Sequence, residues 1–195
     1  MSQIKNLLAL FGLVAIIGSI TLYIKYDEWI TGYSQLRPES REIYADMAKA
    51  LFKTGSAVDA TVWRAKVMDG LDAEDVEDVI RSVAIENNIK NVGELPLSKQ
   101  VEAMTGQPQR LIKIYMFCSP LTAAKMIAYN DAYSAFLPCR VSLVEDKEGN
   151  LWLYTMSLDM MIDGGDKLPP ELEAEAIRVK EVMLDIMNRG ATGEF

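Results

Sequence analysis

The chain has 195 residues, half of them hydrophobic, and a formal net charge of −8. This acidic balance, without a long basic run, disfavours nucleic acid and anionic lipid as main partners of the soluble part, because both reward clustered lysine and arginine. Histidine is absent, which excludes Ser-His and Cys-His nucleophile pairs, the usual zinc and non-haem iron sites, and histidine-ligated haem.

The first predicted element is a membrane anchor. Residues 7–24 form an uncharged apolar run, which as a helix reaches about 27 Å, close to the roughly 30 Å of a bilayer core. The run is longer than the about 7–15 residues of a signal-peptide core, and no small-x-small cleavage site follows it. Tyr23, Tyr26 and Trp29 are spaced like the aromatic belt of a retained helix. We therefore predict a retained single-pass transmembrane helix within residues 1–30 rather than a cleaved signal peptide.

The charges that flank this run set its expected orientation only weakly. Lys5 and the terminal amine precede it, and Lys25 and Arg37 follow it, so the positive-inside bias is slight. A short N-terminus inside and the domain outside is the ordinary signal-anchor arrangement. It predicts a bacterial inner-membrane protein with a periplasmic domain, and a domain that faces the cytoplasm is the alternative.

Residues 31–59 are predicted to connect this anchor to a domain. Pro38 suits a first helical position, and the apolar residues that follow fall on one stripe, which predicts an amphipathic helix over residues 37–53. The glycine and hydroxyl residues at 54–56 end it. Because amphipathic stripes mostly face a core, the helix is expected to lie on the domain or near the membrane, and binding of a partner is the alternative.

Residues 60–190 are predicted to form one domain, followed by a short tail at 191–195. The strands are expected over residues 62–68, 89–94 and 110–117, and residues 140–145 and 151–156 form a hairpin around a glycine-containing turn. In the third strand, Ile112, Ile114 and Met116 share one face. About 165 residues after the anchor are enough for one core but few for two.

The helices of this domain are predicted from apolar spacing and from start and stop residues. The first follows Asp72, its expected N-cap, with Asp75 in the first turn. Its buried face is Val76, Val79, Ile80 and Val83. Further helices cover residues 99–105 and 121–129, and the last runs from Pro169-Pro170 to just before Gly190. The order of elements predicts an α+β fold, a mostly antiparallel sheet with helices packed on one face, preceded by one transmembrane helix.

Cys118 and Cys139 are the two cysteines of the chain. An oxidising compartment favours a disulfide between them, whereas a reducing one favours buried thiols or a redox pair. If their strands are parallel neighbours with a helical crossover, the two residues lie too far apart to bridge; if the second strand enters beside the end of the first, a bridge is easy. Disulfide, structural free thiols and a functional thiol site all remain open.

Several short motifs, in order, resemble one known family. They are Tyr-Met-Phe-Cys-Ser-Pro at 115–120, Ala-Ala at 123–124, Leu-Pro-Cys-Arg-Val at 137–141, the acidic turn at 145–149 and Asp-Met-Met at 159–161. Together they resemble family 302 of the domains of unknown function over residues 62–188. The match departs at Ser119, where the family usually has asparagine, and within residues 95–108. The resemblance implies a compact α+β fold, often a dimer, with no established reaction; known members include soluble proteins, so the anchor is an addition.

Other side chains have the chemistry of metal ligands, but simpler explanations account for them. Met156, Met160 and Met161, with Met116 and the cysteines, are soft ligands suited to Cu(I), but methionine commonly fills irregular cores. The carboxylates near the hairpin turn and at 159–166 lack calcium-loop spacing, and turn chemistry accounts for them. A small-molecule pocket near Trp63, Tyr115 or Trp152 is a further hypothesis, although aromatic residues at such spacing more often belong to the core. No catalytic, cofactor-binding or metal-ligating residue is assigned, and no cofactor is expected.

The predicted function follows from the anchor and from these exclusions. We predict a membrane-anchored, non-catalytic binding protein, an accessory subunit of a larger assembly of integral membrane proteins. Gly12, Gly18 and Ser19 offer small surfaces for packing against other transmembrane helices. The alternative is a thiol-dependent sulfur, redox or copper-handling protein that uses Cys118 and Cys139.

Overall fold

The structure, a computed structural model, describes residues 2–195, with side chains from Ile4 onward. Seven α-helices and five strands are found in this part of the chain, together with a short 3-10 helix at Asp131–Phe136. The helices are α1 (Ser2–Gln35), α2 (Pro38–Thr54), α3 (Ala73–Glu86), α4 (Leu97–Thr105), α5 (Pro120–Tyr129), α6 (Asp159–Asp163) and α7 (Pro170–Thr192). The strands are β1 (Val62–Lys66), β2 (Lys90–Leu95), β3 (Ile112–Cys118), β4 (Cys139–Glu145) and β5 (Leu151–Met156).

The five strands form one sheet in the order β1-β5-β4-β3-β2, and every neighbouring pair is antiparallel. Helices α3 and α7 pack against each other, and α7 contacts β1 and β5. The core lies between these helices and the sheet, where Tyr115, Phe117, Val141, Leu143 and Leu153 are fully buried. The predicted α+β class, with an antiparallel sheet and helices on one face, is confirmed.

Helix α3 begins where its sequence indicates. The Asp72 carboxylate accepts hydrogen bonds from the backbone N–H groups of Glu74 and Asp75, and the Asp75 carboxylate accepts one from the Asp72 N–H at 2.9 Å. This capping box satisfies backbone donors that the first helical turn leaves without partners. The predicted buried face is confirmed, because its four aliphatic residues have no exposed surface.

The end of helix α7 differs from the prediction. The helix passes through Gly190 and ends at Thr192, and Gly193, with φ of 77°, forms its left-handed cap. Gly190 is there for close packing: a Cβ on it would lie 2.5 Å from Cγ2 of Ile80 and 2.9 Å from Cδ1 of Leu153. Ala191, which was assigned to the tail, is buried.

Other differences concern faces and short elements. Ile112, Ile114 and Met116 alternate along β3 with the buried Tyr115 and Phe117, so they share a face as predicted, but that face points away from the helices. Helix α1 continues to Gln35, beyond the predicted anchor. Helix α6 and the 3-10 helix were not predicted, because neither is long enough to show an apolar period.

Candidate functional site

Helix α1 satisfies the length and composition required to cross a membrane over Ile4–Gln35, and none of its apolar window is buried by the rest of the chain. A signal sequence has the same properties. Gly12 and Ser19 lie seven residues apart, hence about 20° apart around the helix, whereas Gly18 lies about 120° from Gly12. A Cβ at either glycine would meet no atom within 4 Å. The predicted packing residues therefore fall on two faces of α1, both free of contacts within the described chain.

Helix α2 is attached to the domain by hydrogen bonds to one short backbone segment. Nε of Arg37 donates to the Gly165 carbonyl at 3.3 Å, Oη of Tyr44 donates to the Gly164 carbonyl at 2.7 Å, and the buried Ser40 hydroxyl donates to the Asp163 carbonyl. Arg37 also forms ion pairs with Asp163 at 3.4 Å and Glu173 at 3.9 Å.

This attachment was only partly visible in the sequence. Residues 37, 40 and 44 have the i, i+3, i+7 spacing of one helix face, and the helix itself was predicted. Their acceptors, however, lie 120 or more residues further along the chain and are main-chain carbonyls of a glycine-rich turn. The helix therefore lies on the domain, one of the two placements that the sequence allowed.

A cleft of about 470 Å³ separates the rest of α2 from the edge of the sheet and α6. This volume is within the usual range for ligand pockets. Its apolar lining is formed by Ile43, Met47, Ala50, Ala60, Val62, Trp63, Met156 and Met160. Its charged lining comprises five carboxylates and one ammonium group, from Glu39, Glu42, Asp46, Asp159, Asp163 and Lys180, and Lys180 is paired with Asp159. Asp46, Asp159 and Asp163 form ion pairs, whereas Glu39 and Glu42 form none within the described chain. The cleft thus combines an apolar lining with two unpaired carboxylates.

The two cysteines lie close together at neighbouring strand ends. Because β3 and β4 are antiparallel and Phe117 pairs with Cys139, the second strand enters beside the end of the first. Both residues are free thiols, with Cys139 buried and Cys118 partly buried, and both line an apolar cavity of only about 30 Å³.

The environment of these thiols lowers their reactivity. Burial raises the pKa of Cys118, and burial together with the nearby Cys118 raises the pKa of Cys139 to about 11. Since the thiolate is the nucleophile and the metal ligand, both cysteines are weak in either role at neutral pH. The structure therefore gives no chemical support to the hypothesis of a thiol-dependent function.

The candidate soft and hard metal ligands are dispersed. Met116 lies on the outer face of β3, Met160 lines the cleft and Met161 lines the thiol cavity. Within residues 2–195, no three acidic or cysteine side chains are grouped so as to hold a metal ion. The hairpin carboxylate of Asp146 instead accepts hydrogen bonds from the backbone N–H groups of Glu148 and Asn150 and from Nε1 of Trp152, as turn chemistry predicts.

One charged cluster was not found from the sequence. Arg81 binds Glu94 at 2.9 Å and Glu77 at 2.8 Å, and Lys113 binds Glu77 at 2.7 Å and Glu94 at 3.0 Å. Hydrogen bonding from Arg81, opposed by partial desolvation, lowers the pKa of Glu94 to about 2. The cluster lies beside Tyr115, whose ring is 5.0 Å from Nζ of Lys113. Asp78 adds a third carboxylate, with Oδ1 3.6 Å from Nη1 of Arg81, so both cations of the cluster are paired. The arrangement stabilises this edge of the sheet and leaves no unpaired cation for a ligand.

Comparison with known proteins gives a family model and a structural relative. The model described as "Domain of unknown function DUF302" matches residues 65–190. An uncharacterized conserved DUF302 protein from Bacillus stearothermophilus, known from a crystal structure, has a similar fold, with a TM-score of 0.53. The two sequences are 14% identical, and the match covers 66% of this chain and 97% of the relative. No curated protein matches the chain.

Proposed function

The chain belongs to the DUF302 family, and we propose that this member is a membrane-anchored, non-catalytic binding protein, an accessory subunit of a larger membrane protein assembly. The observation that carries the proposal is the coupling of an uncovered apolar helix to the family domain through α2. The domain itself has no established reaction from which a function could be transferred.

The uncovered helix supports the membrane part of the proposal. Each large apolar side chain left in water costs about 1.5–3 kcal/mol relative to burial, and the large apolar side chains of α1 are exposed throughout, for example Leu8 at 66% and Phe11 at 66%. This exposure supports a retained α1 that lipid or neighbouring helices cover. From the signal-anchor arrangement we infer that α1 lies in a bacterial inner membrane and that the domain lies in the periplasm.

The junction supports the accessory role. Only Leu36 and Arg37 separate α1 from α2, and α2 is hydrogen-bonded to the domain rather than held by a flexible linker. The connection therefore restricts the orientation of the domain relative to any partner that packs against α1. Such a connection suits an accessory subunit that positions a binding surface beside a membrane protein.

The cleft beside α2 is our candidate for the contact with that partner. Its unpaired carboxylates complement a basic segment, the kind of partner that the acidic composition favours, and its methionine-containing lining adapts to varied apolar side chains. Neutralising Glu39 and Glu42, neither of which forms an ion pair within the described chain, should weaken this contact without affecting the anchor.

The deciding experiment is gentle extraction of the full chain from its native membrane. We expect mass spectrometry to find residues 1–30 still attached to the domain, which would show that the anchor is retained, and we expect co-purification of integral membrane proteins. Gly12→Leu should reduce the amount of partner recovered, because it removes a close-packing surface, whereas Leu13→Ile is the control. A protein that is extracted alone and monodisperse would contradict the accessory role, and a shortened mass would contradict the anchor.

A further inference from the structure

The face of the sheet opposite α3 and α7 carries apolar and basic side chains. The register places Ile114, Ser142, Tyr154 and Arg64 side by side across four strands, because directly paired residues point to the same face. Neighbouring rows add further aliphatic, methionine and tryptophan side chains. Of the charged residues that β1, β4 and β5 place on this face, Lys66 is paired with Asp69 at 3.3 Å, whereas Arg64 and Arg140 form no ion pair within the described chain. Two unpaired arginines on one face of a chain of net charge −8 require an explanation.

A pocket of about 200 Å³ opens on this face. The segment that enters β4 forms one wall, with Phe136, Pro138 and the start of β4. That segment contains the Leu-Pro-Cys-Arg motif, which the proposed accessory function leaves unexplained. The proline of this motif thus forms part of the pocket wall. Its arginine, Arg140, lies two positions before Ser142 on the same strand face and contributes a guanidinium group.

The polar side chains of this pocket are all able to donate hydrogen bonds. They belong to Arg140, Ser142 and Tyr154, with the buried Thr155 behind them, and no carboxylate lines the pocket. Across residues 4–195, the side chain of Arg140 has no ion pair, and the hydroxyls of Ser142 and Tyr154 have no hydrogen-bond partner. The remaining lining is apolar and includes Val62, Ile114 and Met156.

We infer that this pocket binds a small organic carboxylate with an apolar body. A guanidinium matches the two oxygens of a carboxylate with parallel hydrogen bonds, and such charge-assisted bonds are stronger than neutral ones. Ser142 and Tyr154 supply two further donors at the same strand pair, and the aliphatic walls receive the body of the ligand. The volume holds roughly seven groups of the size of a water molecule, so the ligand is a single ring or a short chain.

The test uses phenylacetate and the full chain in nanodiscs of zwitterionic lipid, with ligand-observed NMR and empty nanodiscs as the blank. We expect saturable binding with a Kd of about 1 mM or tighter, the range for a ligand of this size. Arg140→Gln should weaken binding about tenfold or more, because a charge-assisted contact is lost. Arg64→Gln is the matched control, since it removes an arginine from the same face outside the pocket.

Two comparisons make the result decisive. Phenylacetamide has the same shape without the charge and should bind much more weakly than phenylacetate. An unchanged circular dichroism spectrum of each variant confirms that the exposed substitution leaves the fold intact. The inference is overturned if phenylacetate does not saturate, if the amide binds equally well, or if Arg64→Gln weakens binding as much as Arg140→Gln. None of these outcomes depends on whether a membrane partner co-purifies.

Discussion

The attachment of α2 to the domain can be tested by removing its side-chain donors. Ser40→Ala removes one hydroxyl, but the carbonyls of Asp163 and Gly165 keep Arg37 as a donor, at 3.5 Å and 3.3 Å. We therefore expect a cost of about 1 kcal/mol, the net value of one hydrogen bond. Adding Tyr44→Phe leaves the Gly164 carbonyl without its side-chain donor and should bring the total to about 2–3 kcal/mol.

Hydrogen exchange measured by mass spectrometry on the full chain in nanodiscs reports this change directly. Local opening of α2 should become about fivefold more frequent in Ser40→Ala and about 30- to 150-fold more frequent in the double variant. Exchange in α3 should stay the same, because its core contacts are independent of α2. Thr54→Ala is the control, since that hydroxyl bonds the Ala50 carbonyl within α2 itself. Equal exchange of α2 in the wild type and the double variant would refute the proposed coupling.

Three further predictions concern the domain. The folded-state pKa of Glu94 is lowered to about 2, so its ion pairs stabilise the fold above the unfolded pKa of about 4.5, and this stability is lost as the pH falls towards 2. Glu94→Gln should lower the free energy of unfolding by about 1 kcal/mol at pH 7, after solvent screening, and should flatten the acid denaturation curve between these two pH values. An unchanged curve would exclude this role. Leu153→Ala should lower the free energy of unfolding by about 2–5 kcal/mol in urea titrations, whereas Leu121→Ala, at an exposed site, should change it by less than about 0.5 kcal/mol. With a pKa of about 11, Cys139 should be alkylated at pH 8 far more slowly than a free thiol of pKa about 8.5. Cys118 should react first. Rapid modification of Cys139 in the folded protein would contradict its burial, because it would show that the thiol is accessible.

Local patterns predicted those elements whose causes are themselves local. Helix α3 was predicted with its cap and its buried face, because an N-cap carboxylate and a 3.6-residue period act within a few residues. The β4–β5 hairpin was predicted for the same reason, since Asp146 and Gly149 organise the turn between its strands. Gly190 was misinterpreted as a helix stop, because a glycine required for close packing and a glycine required for chain reversal look alike in a sequence.

The candidate sites depended on contacts between distant segments. The cysteine spacing was compatible with either a bridge or separation, and the antiparallel pairing of β3 with β4 and the burial of Cys139 determined the environment of both thiols. The cleft beside α2 combines residues of that helix with others more than 100 positions away. The pocket at Arg140 likewise depends on strand register, which is a property of the assembled sheet.

The sequence by itself determined that the chain carries an apolar helix long enough to span a membrane, followed by an acidic α+β domain that resembles DUF302 proteins. These features follow from composition, periodicity and short motifs, which are properties of contiguous residues. Only the tertiary structure decided that α2 lies against the Asp163–Gly165 backbone, that the thiols are shielded, and that one sheet face has unpaired donors above apolar walls. The physical reason is that hydrogen-bond partners, desolvation and pocket shape arise from segments that meet only after the chain has folded.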